Sequence, residues 1–191
     1  MEDIFPLFAK PIVKKSFSIS DIDISDLEWR ENESNTTSKD GNVLDNPKYE
    51  KLREIAIEMS HHYFYNLLEV NKTVDLYITA SWFNRTTQGQ SHHKHHHPNS
   101  ILSGILYIEG DEFVTVFESD PSSDFDFDKK PNMWNCSKYN LSFDKGDCVV
   151  FRSNTSHYVP KYEGSVPRVT LSWNTFVRGE ISTNPTTKLT L

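Results

Sequence analysis

Between Asn46 and Asn71 the apolar residues follow a helical period, and after Asn71 they follow an extended one. Tyr49, Leu52, Ala56, Met59, Tyr63 and Leu67 recur at three- and four-residue steps behind Asn46-Pro47. That makes one apolar stripe with a helix-opening signal in front of it. His61 and His62 fall on this helix and read as surface positions. Downstream, "VDLYITASWFN" (74–84), "ILSGILYIE" (101–109), "FVTVFES" (113–119), "CVVFR" (148–152) and "RVTLSWNTFV" (168–177) read as strands. They are rich in β-branched and aromatic residues, and Gly or Pro turns separate them. Residues 4–20 read as an extended segment punctuated by Pro6 and Pro11, and the polar stretch 30–46 reads as a loop. The stretch 120–140 is long for a hairpin connection, and loops of that length are more often functional than idle. One helix followed by many short strands predicts a mainly β (α+β) fold, with an antiparallel sandwich or barrel as its body.

Composition narrows the partners. A chain of 191 residues fits one domain. The expected organisation is an N-terminal arm and helical support (1–73), a β core (74–178) and a C-terminal tail (179–191). Net charge is −7 without any lysine or arginine block, which argues against duplex nucleic acid as the main partner. Cys136 and Cys148 are too few for a disulfide framework and read as free thiols. The opening "MEDIFPLFAK" is acidic and lacks a signal-peptide core, and no apolar run is long enough to span a membrane. The expected location is the cytoplasm, so sequons such as those at Asn71 and Asn84 are expected to carry no glycan.

The candidate chemistry lies in "SHHKHHHPNS" (91–100), which holds five of the eight histidines. On a strand, residues two apart share a face and lie about 6.5–7 Å apart. Imidazoles at that spacing can converge on one ion through bonds of about 2.0–2.1 Å. Regular alternation puts His93, His95 and His97 on one face, and His92 and His96 on the other. A distant histidine, His157, follows "DKGDCVVFRSNTS", and Arg168 comes eleven residues later. If the two strands form a hairpin around Glu163-Gly164, His157 and Arg168 lie opposite one another. A guanidinium beside a metal suits an acidic, chelating ligand, because it binds carboxylate through two parallel hydrogen bonds. Alternation places Thr170, Ser172 and Asn174 on the face of Arg168.

The order His-x-His-Pro, "SGILYIE", "GDCVVFRSNTSHYV" and "RVTLSWN" resembles the iron(II)- and 2-oxoglutarate-dependent oxygenases. It is most similar to small members from marine bacteria and phages, relatives of the prolyl hydroxylases. "IFPLFAKPI" and "SKDGNVL" extend the likeness over most of the chain. The resemblance implies a double-stranded β-helix, a jelly-roll barrel with helices packed outside. It implies iron(II) as the metal, with 2-oxoglutarate and dioxygen as co-substrates, and hydroxylation coupled to decarboxylation of 2-oxoglutarate to succinate. Carried over by residue, His95, His97 and His157 are the metal ligands, and Arg168 and Thr170 grip the distal carboxylate. Asn84, Tyr107 and Asn174 are further candidates for contact with the co-substrate, and each also suits ordinary barrel packing. A protein side chain or a small molecule is favoured as substrate. Phe125, Phe127 and Trp134 in the long loop are candidate substrate contacts.

One position departs from the superfamily pattern, since His97 stands where a carboxylate usually binds the metal. Three neutral imidazoles leave more positive charge at the ion, and all-imidazole sites also accept copper and zinc. Glu109 or Asp111 is an alternative source of the carboxylate. Three other readings share the histidines: a cupin-like metal-binding domain, a zinc hydrolase and a non-catalytic β-domain. Neither the cupin-like nor the zinc reading gives Arg168-x-Thr170 a task.

Overall fold

The computed structural model describes residues 8–119, 128, 130, 132, 134–182 and 184–191. Phe125 and Phe127 therefore lie outside the described residues, as does the start of the N-terminal segment. Helix α1 spans Glu50–His61. The strands are β1 (Val13–Ser16), β2 (Trp29–Asn32), β3 (Asn35–Ser38), β4 (Val74–Thr86), β5 (His92–His95), β6 (Leu102–Glu109), β7 (Phe113–Glu118), β8 (Lys138–Phe143), β9 (Asp147–Arg152), β10 (Ser156–Val159), β11 (Arg168–Ile181) and β12 (Leu189–Thr190). They form two antiparallel sheets. The larger runs β1-β9-β6-β11-β4-β3-β2, with β12 beside β11, and the smaller runs β5-β10-β7-β8. Together they make a jelly-roll barrel. Among the described residues, no helix is long and apolar enough to cross a membrane.

Period-2 alternation in the large sheet feeds two separate cores. Leu171 and Trp173 of β11, Leu102 and Leu106 of β6, and Val150 of β9 point outward and pack against α1 through Leu52, Ala56 and Met59. Tyr107, Phe113, Phe117, Phe143, Val149 and Phe151 pack between the sheets instead. The outer core is locked at one close approach. Gly104 has no side chain, and the Trp173 indole lies where its Cβ would be, with Cζ2 2.0 Å from that point. The same indole Nε1–H donates to Ser60 Oγ on α1 at 2.9 Å. A fully buried indole anchors such a contact; truncating it to alanine typically costs about 3–5 kcal/mol.

The helix begins as expected. Asn46 Oδ1 accepts the Lys48 N–H, and a 3-10 turn at Pro47–Tyr49 leads into α1. The apolar stripe stays buried through Tyr63 and then fails at Leu67, which is 44% exposed. A π-turn over His62–Leu67 is the reason, because its extra residue per turn rotates the stripe away from the sheet.

Two expectations are corrected. The stretch 30–46 is not a loop throughout: β2 and β3 form a hairpin that adds to the large sheet. Its buried positions carry Asn35, Thr37 and Ser38, whose side chains bond Thr86, the Phe83 carbonyl and the Asp40 carbonyl, so a polar stretch becomes a largely buried strand. The proposed hairpin between His157 and Arg168 is also absent. Strand β10 pairs with β5 and β7, whereas β11 pairs with β4, β6 and β12. The connection 160–167 crosses from one sheet to the other.

Candidate metal and anion site

The site spans the gap between the sheets. From the small sheet come His95, at the end of β5, and His157, its direct partner on β10. His97 follows on the loop leading to β6, where its N–H donates to the Ser153 carbonyl at 2.9 Å. Ser153 is itself held by Ser103 and Ser100 through hydroxyl bonds of 2.8 and 2.7 Å. That hydroxyl chain fixes the loop carrying His97.

One ring nitrogen from each of His95, His97 and His157 lies within 4.8 Å of the other two. Ring centroids are 4.4 Å apart for His95 and His157, 5.0 Å for His95 and His97, and 5.2 Å for His97 and His157. Two carbonyls settle the tautomers. His95 Nδ1 lies 2.8 Å from the His93 carbonyl, and His157 Nδ1 lies 3.0 Å from the Thr155 carbonyl. A carbonyl only accepts, so the proton is on Nδ1 and the lone pair on Nε2, as a metal ligand requires. Burial pushes the pKa of His97 and of His157 down to about 3, with neighbouring imidazoles adding to the effect, and it lowers that of His95. At neutral pH all three rings are uncharged donors.

The large sheet supplies the opposite wall. Asn84, Arg168, Thr170 and Ser172 line the same cavity as the histidines. Arg168 is 3% exposed, its Nε has no hydrogen-bond partner among the described residues, and its guanidinium lies 5.6 Å from the Tyr107 ring centroid. Desolvation draws its pKa down, offset in part by Tyr107 and Tyr162. Among the described residues no carboxylate pairs with it. A buried cation without an anion is costly, so this wall is chemically suited to an anion. Asn84 donates through Nδ2 to Ser172 Oγ at 3.0 Å, while its Oδ1 is buried without a partner among the described residues.

The other residues singled out from the sequence fall elsewhere. Tyr107 stacks on Phe143 and shares a 2.8 Å bond with Thr115, so it lies beneath Arg168 and outside the cavity lining. Asn174 accepts from Ser103 Oγ at 2.7 Å and belongs to the hydroxyl chain behind His97. Asp111 clamps the Ser165 and Val166 amides and Glu109 is exposed; the metal-binding groupings found among the described residues consist of histidines alone. His61 and His62 lie on and just beyond α1. Cys136 is half-buried and Cys148 buried, both as free thiols, and Trp134 is exposed.

His92 corrects the alternation argument. His95 pairs with His157 but His92 pairs with Val159, so three steps on β5 match two on β10. This bulge turns His92 to the cavity side, where its ring stacks on His95 at 4.6 Å. Trp82 also lines the cavity, with its ring 5.7 Å from that of His97. Alternation from Asn84 would have found Trp82; nothing in the sequence marks the bulge. The cavity is small, about 20 Å³, which is the room of roughly one water. A larger groove of about 670 Å³ lies between Phe64, Val70 and the end of β11, and none of the histidines lines it.

Residues 80–174, just under half the chain, match a family described as "Putative 2OG-Fe(II) oxygenase". No curated protein matches the chain in sequence. Among solved structures, an oxidoreductase of the 2OG-Fe(II) oxygenase family from Burkholderia pseudomallei is 12% identical with a TM-score of 0.54, over 79% of this chain and 72% of that one. HygX from Streptomyces hygroscopicus, crystallised with nickel, 2-oxoglutarate and hygromycin B, is 9% identical with a TM-score of 0.55, over 87% and 82%. SnoN, a non-heme alpha ketoglutarate dependent epimerase from nogalamycin biosynthesis, is 12% identical with a TM-score of 0.50, over 80% and 68%. At these identities the likeness is one of fold.

Proposed function

The chain resembles the 2OG-Fe(II) oxygenases over residues 80–174, and from that premise we propose that it is an iron(II)- and 2-oxoglutarate-dependent dioxygenase that hydroxylates a protein side chain or a small molecule. The observation that carries this reading is Arg168, a buried guanidinium without a counter-anion among the described residues, in the same cavity as three neutral imidazoles. The donor set fits the group. His95, His97 and His157 would hold iron(II) through their Nε2 atoms, and Arg168 would pair with the distal carboxylate of 2-oxoglutarate. Thr170 would help grip that carboxylate, and Asn84 would contact the co-substrate.

Iron(II), dioxygen and 2-oxoglutarate together supply oxidation of a C–H bond to C–OH, with succinate and carbon dioxide as the other products. The chain's own residues bind, orient and exclude water. Two carboxylates of 2-oxoglutarate offset most of the charge of a dication and one guanidinium, which the three neutral histidines leave unbalanced. No side chain is needed as a general base. Trp82, beside His97, would form part of the substrate wall, and the β2–β3 turn would border the mouth. Because the cavity has the room of about one water, a five-carbon diacid enters only when lining side chains turn aside, and His92 is the one stacked over His95.

The test is anaerobic titration of metal-free protein with iron(II) and 2-oxoglutarate, watching for the weak visible charge-transfer band of a chelated keto acid. The band is expected in the wild type, absent in His157→Ala and weakened in Arg168→Ala. Iron binding without any band would overturn the reading and favour a cupin-like site.

A further inference from the structure

His95 belongs to two clusters. One ring nitrogen from each of His92, His93 and His95 also lies within 4.8 Å of the other two. Ring centroids are 5.2 Å apart for His92 and His93, and 5.1 Å for His93 and His95. The β5 bulge creates this grouping, because strict alternation would send His92 to the far face. His93 Nδ1 is buried and has no hydrogen-bond partner among the described residues. The Glu33 carboxylate, on the β2–β3 turn, comes within 3.3 Å of it, near enough for attraction but outside hydrogen-bond geometry. A nitrogen left unpaired beside a carboxylate, within reach of two other imidazoles, has the chemistry of a borderline-metal ligand.

We propose that His92, His93 and His95 form a second, outer site for a divalent transition metal, with Glu33 beside it to offset charge, and that this site and the His95–His97–His157 site exclude one another. The exclusion follows from His95. Its Nδ1–H is committed to the His93 carbonyl, so the ring has one lone pair, on Nε2, and can complete one cluster at a time. The inner cluster is the more buried, since His157 is 4% exposed whereas His92 and His93 are only partly covered. An ion arriving from solvent meets the outer cluster first and reaches the inner one by exchange at His95. The same geometry makes excess metal self-limiting, because an ion at the outer site withholds His95 from the inner one.

The probe is Co²⁺ alone, followed by its visible ligand-field bands and by calorimetric stoichiometry, with circular dichroism as the check on folding. Wild type is expected to bind one tightly held Co²⁺ per chain despite having two clusters. His97→Ala and His157→Ala, which break only the inner site, are each expected to retain one ion with altered bands. Adding His92→Ala and His93→Ala to either is expected to weaken binding by about tenfold or more, the scale set by losing even an outer partner of a ligand. His95→Ala is expected to lose both sites. Two tightly bound ions in the wild type would overturn the exclusion. Inner-site variants that bind Co²⁺ no better than their triple mutants would overturn the outer site. Neither outcome depends on 2-oxoglutarate, so this result and that of the oxygenase test are separable.

Discussion

His157 and His95 are direct cross-strand partners on β10 and β5, with ring centroids 4.4 Å apart. Two imidazoles held this close and away from water cannot both become imidazolium cations, and a third, His97, shares the same pocket.

A pH dependence follows. An unfolded histidine titrates near 6.5, whereas folded His97 and His157 titrate near 3 and His92 near 2. Below pH 6.5 the unfolded chain binds protons that the folded chain refuses, so stability is full above that value and falls as pH drops. Each such group contributes a slope of about 1.4 kcal/mol per pH unit. The metal-free protein is expected to lose melting temperature steadily from pH 6.5 to 5, before ordinary carboxylates titrate. A flat profile over that interval would mean that the rings are solvated.

Arg168 separates binding from stability. Arg168→Met removes a buried charge that no carboxylate among the described residues offsets, so the metal-free protein is expected to gain about 1–2 kcal/mol, or roughly 2–4 °C in Tm for each kcal/mol. The same change is expected to weaken 2-oxoglutarate binding by tenfold or more, since a hydrogen bond to a charged group is worth about 1.5–3 kcal/mol. Thermal melts and calorimetry on one sample check both signs. Loss of stability together with unchanged 2-oxoglutarate affinity would refute the assignment.

Trp82 offers an optical reading of the metal. Its ring lies 5.7 Å from that of His97, while Trp173 is buried against α1 on the outer face. Co²⁺ or Ni²⁺ at the inner cluster is expected to quench tryptophan fluorescence, and Trp82→Phe is expected to remove most of that quenching. Equal quenching in the variant would place the ion elsewhere.

Gly104 tests the outer core. A methyl group there would overlap the Trp173 ring, so Gly104→Ala is expected to cost about 1–3 kcal/mol through overpacking. The shift would be read as a lower urea midpoint with an unchanged slope. A variant as stable as the wild type would show that the indole is free to move.

Much of this protein is legible without a structure because it depends on local chemistry. The helical stripe from Tyr49 to Tyr63 and the strands at 74–84, 101–109 and 168–177 are encoded in neighbouring residues. Each buries one face whatever lies opposite it. His95, His97, His157, Arg168, Thr170 and Asn84 were all reachable from residue type, spacing and likeness to a family. What only the tertiary structure decided concerns pairing between distant segments. Which strand lies beside β10 sets whether His157 faces Arg168 along a ladder or across a barrel, and loop 160–167 gives no sign of its crossing. The polar β2–β3 hairpin becomes strand because β4 supplies partners for its hydroxyls and amides. The bulge that turns His92 inward arises from the mismatch of two registers, a property of two strands together that neither sequence carries alone.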